Sequence, residues 1–233
     1  MGSNDTTINM LARGFKRQNS KPLSIRLHDT DSIARPVVED FIRQIFAQAY
    51  GANISQFYPS LLAVNNSEKS YAAVAGFREA TEHRLFAEFY LDKPIEDYLN
   101  QRRDSIVEVG NLAPASAGQA RWLIACLTGF LHSAEFTTAV FTAVPALVNA
   151  FRRVGIPLTR LSDAKINSLP VDHHWDWGSY YELKPAVYAA DVNKAYETLN
   201  QVCKQDISLQ KIWLDACREG QLYRFTRLSQ TAY

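Results

Sequence analysis

The chain has 233 residues, of which 47% are hydrophobic and 21% charged, so it is long and apolar enough to bury a large core. Its formal net charge of +1 argues against a nucleic-acid-binding protein that works through a basic surface. Its three cysteines form no CxxC pair, which favours a reducing compartment over a disulfide framework or a zinc site.

The N-terminal segment, residues 1–20, is polar and lacks the apolar stretch of a secretion signal, so we expect it to be disordered. The longest nearly apolar run, AVFTAVPALVNAF, has 13 residues and contains Pro145 and Asn149. A membrane-spanning helix needs about 20 apolar residues. These patterns predict a cytoplasmic protein without a transmembrane segment.

The next part of the chain predicts a strand, a helix and a β-hairpin. PLSIRLHD, residues 22–29, alternates between apolar and polar residues as a strand does. Apolar residues then recur at helical spacing from Pro36, which suits a first helical turn, to Gly51, which suits a helix end. Residues 58–66 and 70–79 are typical of two strands joined by a polar turn.

The middle of the chain predicts two helices with a strand between them. DKPIEDYLNQ indicates a short helix with Asp92 as its N-cap and Pro94 in its first turn. IVEVGNLAPASAGQARWLI follows and predicts a strand over residues 105–112 and a helix over residues 118–133.

The remaining chain predicts further strands and helices. They are a buried strand at 137–143, a helix at 145–155, a turn or short helix at 162–169, one or two strands within 177–192, and helices at 193–205 and 208–220. This order predicts a mixed α/β sheet with helices on its faces. We expect one α/β domain at residues 21–205 and a helical C-terminal extension at residues 206–233.

The central strand–turn–helix carries the strongest chemical signal. Glu108 lies inside an otherwise apolar strand, and Gly110 indicates a bulge or a close approach by other atoms. The small residues before Gly118 open a helix, whose free N-terminal amides suit a phosphate. The unit could hold a pantetheine arm and its pyrophosphate. Ordinary α/β proteins also contain such units, so a purely structural role stays open.

Several blocks of the sequence resemble the thermostable hemolysin family. They are RPVVEDFIRQIFAQAYGANISQFYPSLLAV, AAVAGFREA, LFAEFYLDKPIE, IVEVGNLA and FTAVPALVNAFRRVGIPLTRL, in the same order, within about residues 22–190. The family is similar to the Gcn5-related N-acetyltransferase fold, and more closely to acyl-homoserine lactone and long-chain N-acyl amino acid synthases. The resemblance implies a mostly antiparallel sheet and an acyltransfer reaction.

The resemblance also implies donor-binding residues. The related enzymes have a strand glutamate followed by Ser-Arg and an apolar residue, where this chain has Glu108 and then VGNL. The acetyltransferase pyrophosphate turn, Gln/Arg-x-x-Gly-x-Gly/Ala, becomes ASAGQA here, without its leading Gln/Arg. The implied residues for CoA or a phosphopantetheine thioester are Val109, Gly110, Asn111, Leu112, Gly118, Gln119, Ala120 and Asn149.

Three residues are candidates for acid–base work. A carboxylate in apolar surroundings has a raised pKa, so Glu108 could be a general base, or it could be a structural glutamate paired with an arginine. Glu88 is a second carboxylate candidate, with the alternative that it lies on the wet face of a short strand. Tyr180 is a candidate general acid, since the family's usual tyrosine near Gly155 is missing.

Arginine and aromatic residues are candidates for substrate binding. Arg78 could bind an acceptor carboxylate, or it could be a surface charge at a strand end. Trp177 and Tyr181 belong to an aromatic cluster, with His173, His174, Trp175 and Tyr180, that suits either an acyl pocket or a plain core. No third ligand accompanies the two histidines, so we predict no metal site.

The sequence thus predicts an N-acyltransferase that takes an acyl group from acyl-CoA or acyl carrier protein and gives it to a small amine such as an amino acid. Two alternatives stay open. One is a membrane-lytic protein, as the family's name suggests, and the other is a non-catalytic acyl- or CoA-binding module of the same fold.

Overall fold

In the computed structural model, the described part of the chain is residues 24–230 without residues 68, 69, 82, 117, 174, 175 and 206. The N-terminal segment predicted to be disordered lies outside it, as do Ala117, His174 and Trp175. The strands are β1 (Ser24–His28), β2 (Ser60–Ser67), β3 (Ser70–Glu79), β4 (Ile106–Pro114), β5 (Thr138–Ala143), β6 (Thr159–Asp163) and β7 (Ala186–Asp191). The helices are α1 (Arg35–Tyr50), α2 (Ile95–Leu99), α3 (Gln119–Ser133), α4 (Pro145–Arg153), α5 (Val192–Cys203) and α6 (Ile207–Gln230).

The strands form one seven-stranded sheet in the order β1-β2-β3-β4-β5-β7-β6. Every neighbouring pair is antiparallel except β4 and β5, which run parallel at the centre of the sheet. A parallel pair needs a long crossover connection, and α3 provides it. The predicted mixed, mostly antiparallel sheet flanked by helices is therefore confirmed.

Helices cover both faces of the sheet because strand residues alternate between the faces. In β2, Leu61 and Ala63 pack with α1, whereas Leu62 and Val64 belong to the larger core that contains α3. Helix α1 begins at Arg35 with Pro36 in its first turn, and its C-cap is Gly51, whose φ of 66° is the left-handed conformation that glycine adopts without strain. Both helix limits follow the predicted ones.

The C-terminal extension is helical, as predicted, and it packs directly on α3. A Cβ atom added to Gly220 of α6 would lie 2.2 Å from the carbonyl oxygen of Phe130, so the two helix backbones meet at this point. Trp213 and Cys217 of the same helix contact the region of Gly129. The extension therefore completes the core beneath the sheet instead of standing apart from it.

Two local expectations are wrong. The helix at 92–101 is only Ile95–Leu99, because Pro94 is its N-cap and Asp92 instead accepts a hydrogen bond from the Tyr98 hydroxyl. Residues 86–90 form a 3₁₀ helix, not the short strand considered as an alternative. Strand β6 was not predicted, since its residues are largely exposed and show no alternation. One late strand, β7, forms within 177–192, in agreement with the one or two predicted, and a short 3₁₀ helix, Tyr181–Leu183, precedes it.

Candidate active site

The two parallel strands at the centre of the sheet separate partway along their length. Their pairing runs from Ile106–Thr138 to Val109–Phe141, although β4 continues to Pro114 and β5 to Ala143. Between Val74 and Gly76 of β3, the register with β4 shifts by one residue, which is a β-bulge. Asn111 lies in this bulge with a φ of 46°. The bulge bends β4 away from β5 and opens a cleft between them.

A cavity of about 250 Å³ occupies the mouth of this cleft. Aromatic side chains form a large part of its wall, and they come from α1, the segment before β2, the 3₁₀ helix at 86–90 and the loop before β7. The aromatic residues are Phe46, Tyr50, Phe57, Tyr58, Phe86, Phe89, Trp177 and Tyr180. The separated strand ends contribute residues 109–112 and 142–144, and the guanidinium groups of Arg78 and Arg84 supply positive charge.

Glu108 lies behind this wall and is held on several sides. The side chain of Arg78 reaches it across the β3–β4 pair, because the two residues are register partners, with Nε and Nη2 each 2.7 Å from the carboxylate. The backbone amides of Phe86 and Ala87 donate to the same carboxylate at 2.9 and 2.5 Å. Glu108 is only 2% exposed and is absent from the described cavity lining. It therefore fixes the 3₁₀ helix at 86–90 to the sheet.

Burial raises the pKa of Glu108 above the ordinary value of 4.5, even though Arg78 and the amides of Ala87 and Phe86 act to lower it. A raised pKa makes the carboxylate a stronger base than a solvated glutamate. Glu108 is thus paired with an arginine, as the structural interpretation expects. Its pKa is shifted in the direction that suits proton transfer, and its role as a general base stays a prediction.

Tyr58 is one of several cavity residues that the sequence analysis did not identify, and it lies nearest to the Gly110 backbone. Its ring lies across β4 at Gly110, where a Cβ atom would be 2.1 Å from the ring carbon Cε2, so only glycine fits. Its hydroxyl oxygen lies 2.9 Å from that Cβ position, and the nearby Glu108 carboxylate adds to burial in raising the pKa of the tyrosine. The glycine was a signal of a close approach, but nothing in the local sequence says that residue 58 is the one that approaches.

The backbone of the Tyr58 segment is fixed at three points. The side-chain oxygen of Asn111 accepts a hydrogen bond from the Tyr58 amide at 2.9 Å. The buried guanidinium of Arg35, the first residue of α1, donates to the carbonyls of Tyr58 and Pro59 at 2.7 and 2.6 Å. The predicted donor-binding residue Asn111 thus also positions the tyrosine.

The predicted pyrophosphate turn has a closed hydrogen-bond pattern at its helical end. The carbonyl of Ser116 accepts from the amides of Gln119 and Ala120 at 2.9 and 3.3 Å. Gly118 is the N-cap of α3, and the described lining of the cavity does not include residues 118–120. Asn149 is exposed on α4, whose residue at the cavity is Leu147.

Glu88 lies outside the described cavity lining and forms a separate buried ion pair. Arg103 donates to its carboxylate through Nη1 and Nη2 at 2.7 and 2.9 Å, and the amides of Leu85 and Ile95 donate at 2.7 and 2.9 Å. Burial acts to raise its pKa, but the hydrogen bonds from Arg103, Ile95 and Leu85 lower it to about 2. Such a group stays ionised and is suited to holding the loop, not to transferring protons.

The aromatic cluster divides between the cavity and the core behind it. Trp177 and Tyr180 line the cavity with their ring centroids 5.5 Å apart, and Trp177 Nε1 donates to the His173 carbonyl. The hydroxyl of Tyr180 donates to the Thr142 carbonyl at 3.4 Å, and burial raises its pKa. Tyr181 is outside the described cavity lining, and its hydroxyl is 2.5 Å from that of Tyr90.

A model of the family named thermostable hemolysin matches residues 28–196, which include the whole of this site. The chain belongs to the thermostable hemolysin family. The comparison with curated protein sequences gives no match. Within the described part of the chain, every helix is too short or too polar to span a bilayer, and no group of three or more metal-ligating side chains is present.

Solved structures similar to this thermostable hemolysin family member show the fold. TofI in an apo form has 11% sequence identity and a TM-score of 0.55, with 76% of this chain and 97% of that one covered. The acyl-homoserine lactone synthase LasI has 10% identity and a TM-score of 0.52, covering 78% and 95%. BjaI, a CoA-dependent acyl-homoserine lactone synthase solved with SAM and isopentyl-CoA, has 14% identity and a TM-score of 0.51, covering 85% and 100%. The fold is thus the acyltransferase-like one that the sequence predicts.

Proposed function

We propose that this protein is an N-acyltransferase that moves an acyl group from a CoA or phosphopantetheine thioester to the amine of a small acceptor such as an amino acid. The observation that carries the proposal is the separation of β4 from β5 beyond Val109 and Phe141. Beyond this point β4 stays paired with β3 and β5 with β7, but the two strands have no register pairs with each other, and the amides of a pantetheine arm can bind between their facing edges.

The lining of the cavity suits the binding of both an acyl chain and an acceptor on the same side of the sheet. Its aromatic walls suit an apolar chain, and Arg78 and Arg84 bring positive charge for a carboxylate on the acceptor. In the donor-binding half, the start of α3 is the proposed place of the pyrophosphate, with the backbone amides of Ser116 and the N-cap Gly118 as its proposed donors. Residues 109–112 of β4, which line the cavity, are the proposed contacts of the pantetheine arm.

Proximity supplies most of the rate in this scheme, because the acceptor nitrogen and the thioester carbon meet in one enclosed space. Backbone amides of β4 in the open part of the strand stabilise the negative charge that develops on the thioester oxygen. Glu108 is the proposed base that finally takes the proton from the amine. Because burial raises its pKa, we expect activity to fall on acidification at a higher pH than for a solvated carboxylate.

The neighbour BjaI, solved with isopentyl-CoA, supports a CoA thioester as the first donor to test, with acyl carrier protein as the second. The assay incubates the purified protein with long-chain acyl-CoA and a panel of amino acids, and follows both thiol release and the acyl amide by mass spectrometry. Amide formation in step with thiol release supports the proposal.

The two alternative functions predict different results, one in a donor-binding and transfer assay and the other in a liposome leakage assay. Donor binding without any amide product indicates a non-catalytic binding module. Leakage of dye from liposomes caused by the protein alone, with no donor present, indicates a membrane-lytic protein and contradicts the proposal.

A further inference from the structure

If Glu108 is the base, an amine in the cavity cannot reach its carboxylate directly. Its carboxylate is 2% exposed and lies behind the cavity wall, so an amine in the cavity meets other groups first. Two side chains that line the cavity are neighbours of this carboxylate. Arg78 donates to it, and the Tyr58 ring lies over Gly110, two residues along β4, with its hydroxyl near enough for Glu108 to act on its pKa. A proton that travels from the cavity to Glu108 therefore has to pass one of them.

The chemistry of the neighbouring groups selects Tyr58. The guanidinium of Arg78 and the backbone amides of Phe86 and Ala87 are donors only, so none of them can take a proton from an amine. A phenolic hydroxyl both donates and accepts. Among the described neighbours of the Glu108 carboxylate, the Tyr58 hydroxyl is the one group that can receive one proton from the cavity side and release another towards the carboxylate.

Several residues hold the Tyr58 hydroxyl in place. Gly110 leaves room for the ring against β4, Asn111 binds the Tyr58 amide, and Arg35 binds the carbonyls of Tyr58 and Pro59. The guanidinium of Arg78 also lies 5.2 Å from the centroid of the Tyr58 ring. A ring that only filled space would not need its backbone fixed at so many points.

We propose that Tyr58 is a further catalytic residue, which relays the proton of the acceptor amine from the cavity to Glu108. This inference rests on the proposed function. As the nitrogen forms its bond to the thioester carbon, its proton passes to the Tyr58 oxygen while the proton of Tyr58 passes to Glu108. The carbon–sulfur bond then breaks, the electron pair leaves on sulfur, and the proton returns through the same hydroxyl to give the free thiol.

The relay is concerted, so no tyrosinate has to form. Burial and the neighbouring Glu108 carboxylate raise the pKa of Tyr58 well above its ordinary value of 10, which keeps the phenol protonated. Arg78 stays charged throughout and fixes the carboxylate that receives the proton.

The test compares Tyr58→Phe with the matched control Tyr71→Phe. Both substitutions keep the ring and remove one hydroxyl, but Tyr58 lines the cavity beside Glu108, whereas Tyr71 of β3 is absent from the described cavity lining. We expect Tyr58→Phe to lower the single-turnover rate of acyl transfer about 100-fold, with CoA affinity and the thermal unfolding midpoint unchanged. Tyr71→Phe should stay within about threefold of the wild type on the same scale.

A proton inventory in mixtures of H₂O and D₂O distinguishes a relay from a structural role. A relay moves two protons in one step and gives a curved dependence of the rate on deuterium content, and Tyr58→Phe should make the residual reaction linear. The relay is overturned if Tyr58→Phe keeps the wild-type rate and curvature while Glu108→Gln is inactive, and in that case the proposed function stands. Wild-type protein that binds donor and forms no amide overturns the proposed function and the relay together.

Discussion

At the scale of single residues, the site depends on the pairing of a glycine with an aromatic ring. Gly110 is the position at which the Tyr58 ring crosses β4, and any side chain there would occupy the space of the ring. Overpacked positions usually lose about 1–3 kcal/mol of stability, because the neighbours have to move. Here the neighbour that has to move is the residue that lies beside Glu108.

We therefore predict that Gly110→Ala lowers the transfer rate by at least about tenfold and the free energy of unfolding by about 1–3 kcal/mol. Gly51→Ala is the control, because Gly51 has a φ of 66° with open space around its Cβ position. It should cost about 1 kcal/mol of backbone strain and leave the rate unchanged. Urea unfolding and the transfer assay measure both quantities, and an unchanged rate in Gly110→Ala would contradict this view of Tyr58.

Glu88 makes a prediction about acid stability. Its pKa is about 2 in the folded protein against 4.5 as a reference, so its ion pair stabilises the fold above pH 4.5 and stops doing so as the pH falls from 4.5 towards 2. Glu88→Gln should lower the free energy of unfolding by about 3 kcal/mol at pH 7, with a smaller difference from the wild type at pH 3.

The control for Glu88 is Glu96→Gln, because Glu96 pairs with the same Arg103 but is partly exposed. It should cost less than about 1 kcal/mol at either pH. Equal losses for the two variants, or a Glu88→Gln loss that does not shrink at low pH, would argue against the buried pair as the source of stability.

Single residues also show what the sequence could and could not tell. The apolar neighbours of Glu108 predicted its burial, and a glycine within a strand predicted the close approach at Gly110. The partners Arg78 and Tyr58 are 30 and 50 residues away in the chain, and only the strand register and the fold bring them together. Glu88 was ambiguous because a buried ion pair and a catalytic carboxylate have the same local sequence.

At the scale of elements, the strongly periodic segments were predictable and the irregular ones were not. Helix α1 and the hairpin of β2 and β3 follow their apolar patterns almost to the residue. Strand β6 lies at the sheet edge with exposed residues, so it carries no alternation, and its place is fixed by pairing with β7. The 3₁₀ helix at 86–90 owes its shape to the Glu108 and Glu88 carboxylates, which a local pattern does not reveal.

The contact between α3 and α6 gives a prediction at this scale. Gly220→Ala would place a Cβ atom 2.2 Å from the Phe130 carbonyl oxygen, which is backbone and cannot turn away. We expect a loss of about 2–3 kcal/mol in the free energy of unfolding, as the two helices are pushed apart. Gly129→Ala is the matched control from the same contact, since its nearest neighbour is the Cys217 sulfur at 3.3 Å, and it should cost less than about 1 kcal/mol. Similar losses for both variants would show that the close backbone contact is not what the fold requires.

At the scale of the whole molecule, the sheet consists of two antiparallel halves, which are joined by the short parallel pairing of β4 with β5. Strands β1 to β4 form one half and β5, β7 and β6 form the other, with register pairs between β4 and β5 only as far as Val109 and Phe141. This pairing holds the two halves together at one end of β4 and β5 and leaves the cleft open at the other end. Helices α3 and α6 share one buried core with the sheet and cover one of its faces.

The central claim is that this cleft binds the pantetheine arm of an acyl thioester, and calorimetric titration with CoA and a long-chain acyl-CoA tests it most directly. Thr142→Phe would fill the cleft from β5, whereas Thr159→Phe adds the same ring at an exposed position on β6. We predict that the wild type and Thr159→Phe bind the acyl-CoA alike and that Thr142→Phe binds at least about tenfold more weakly. Equal affinity in all three proteins, or no binding of CoA, acyl-CoA or holo acyl carrier protein by the wild type, would contradict the claim.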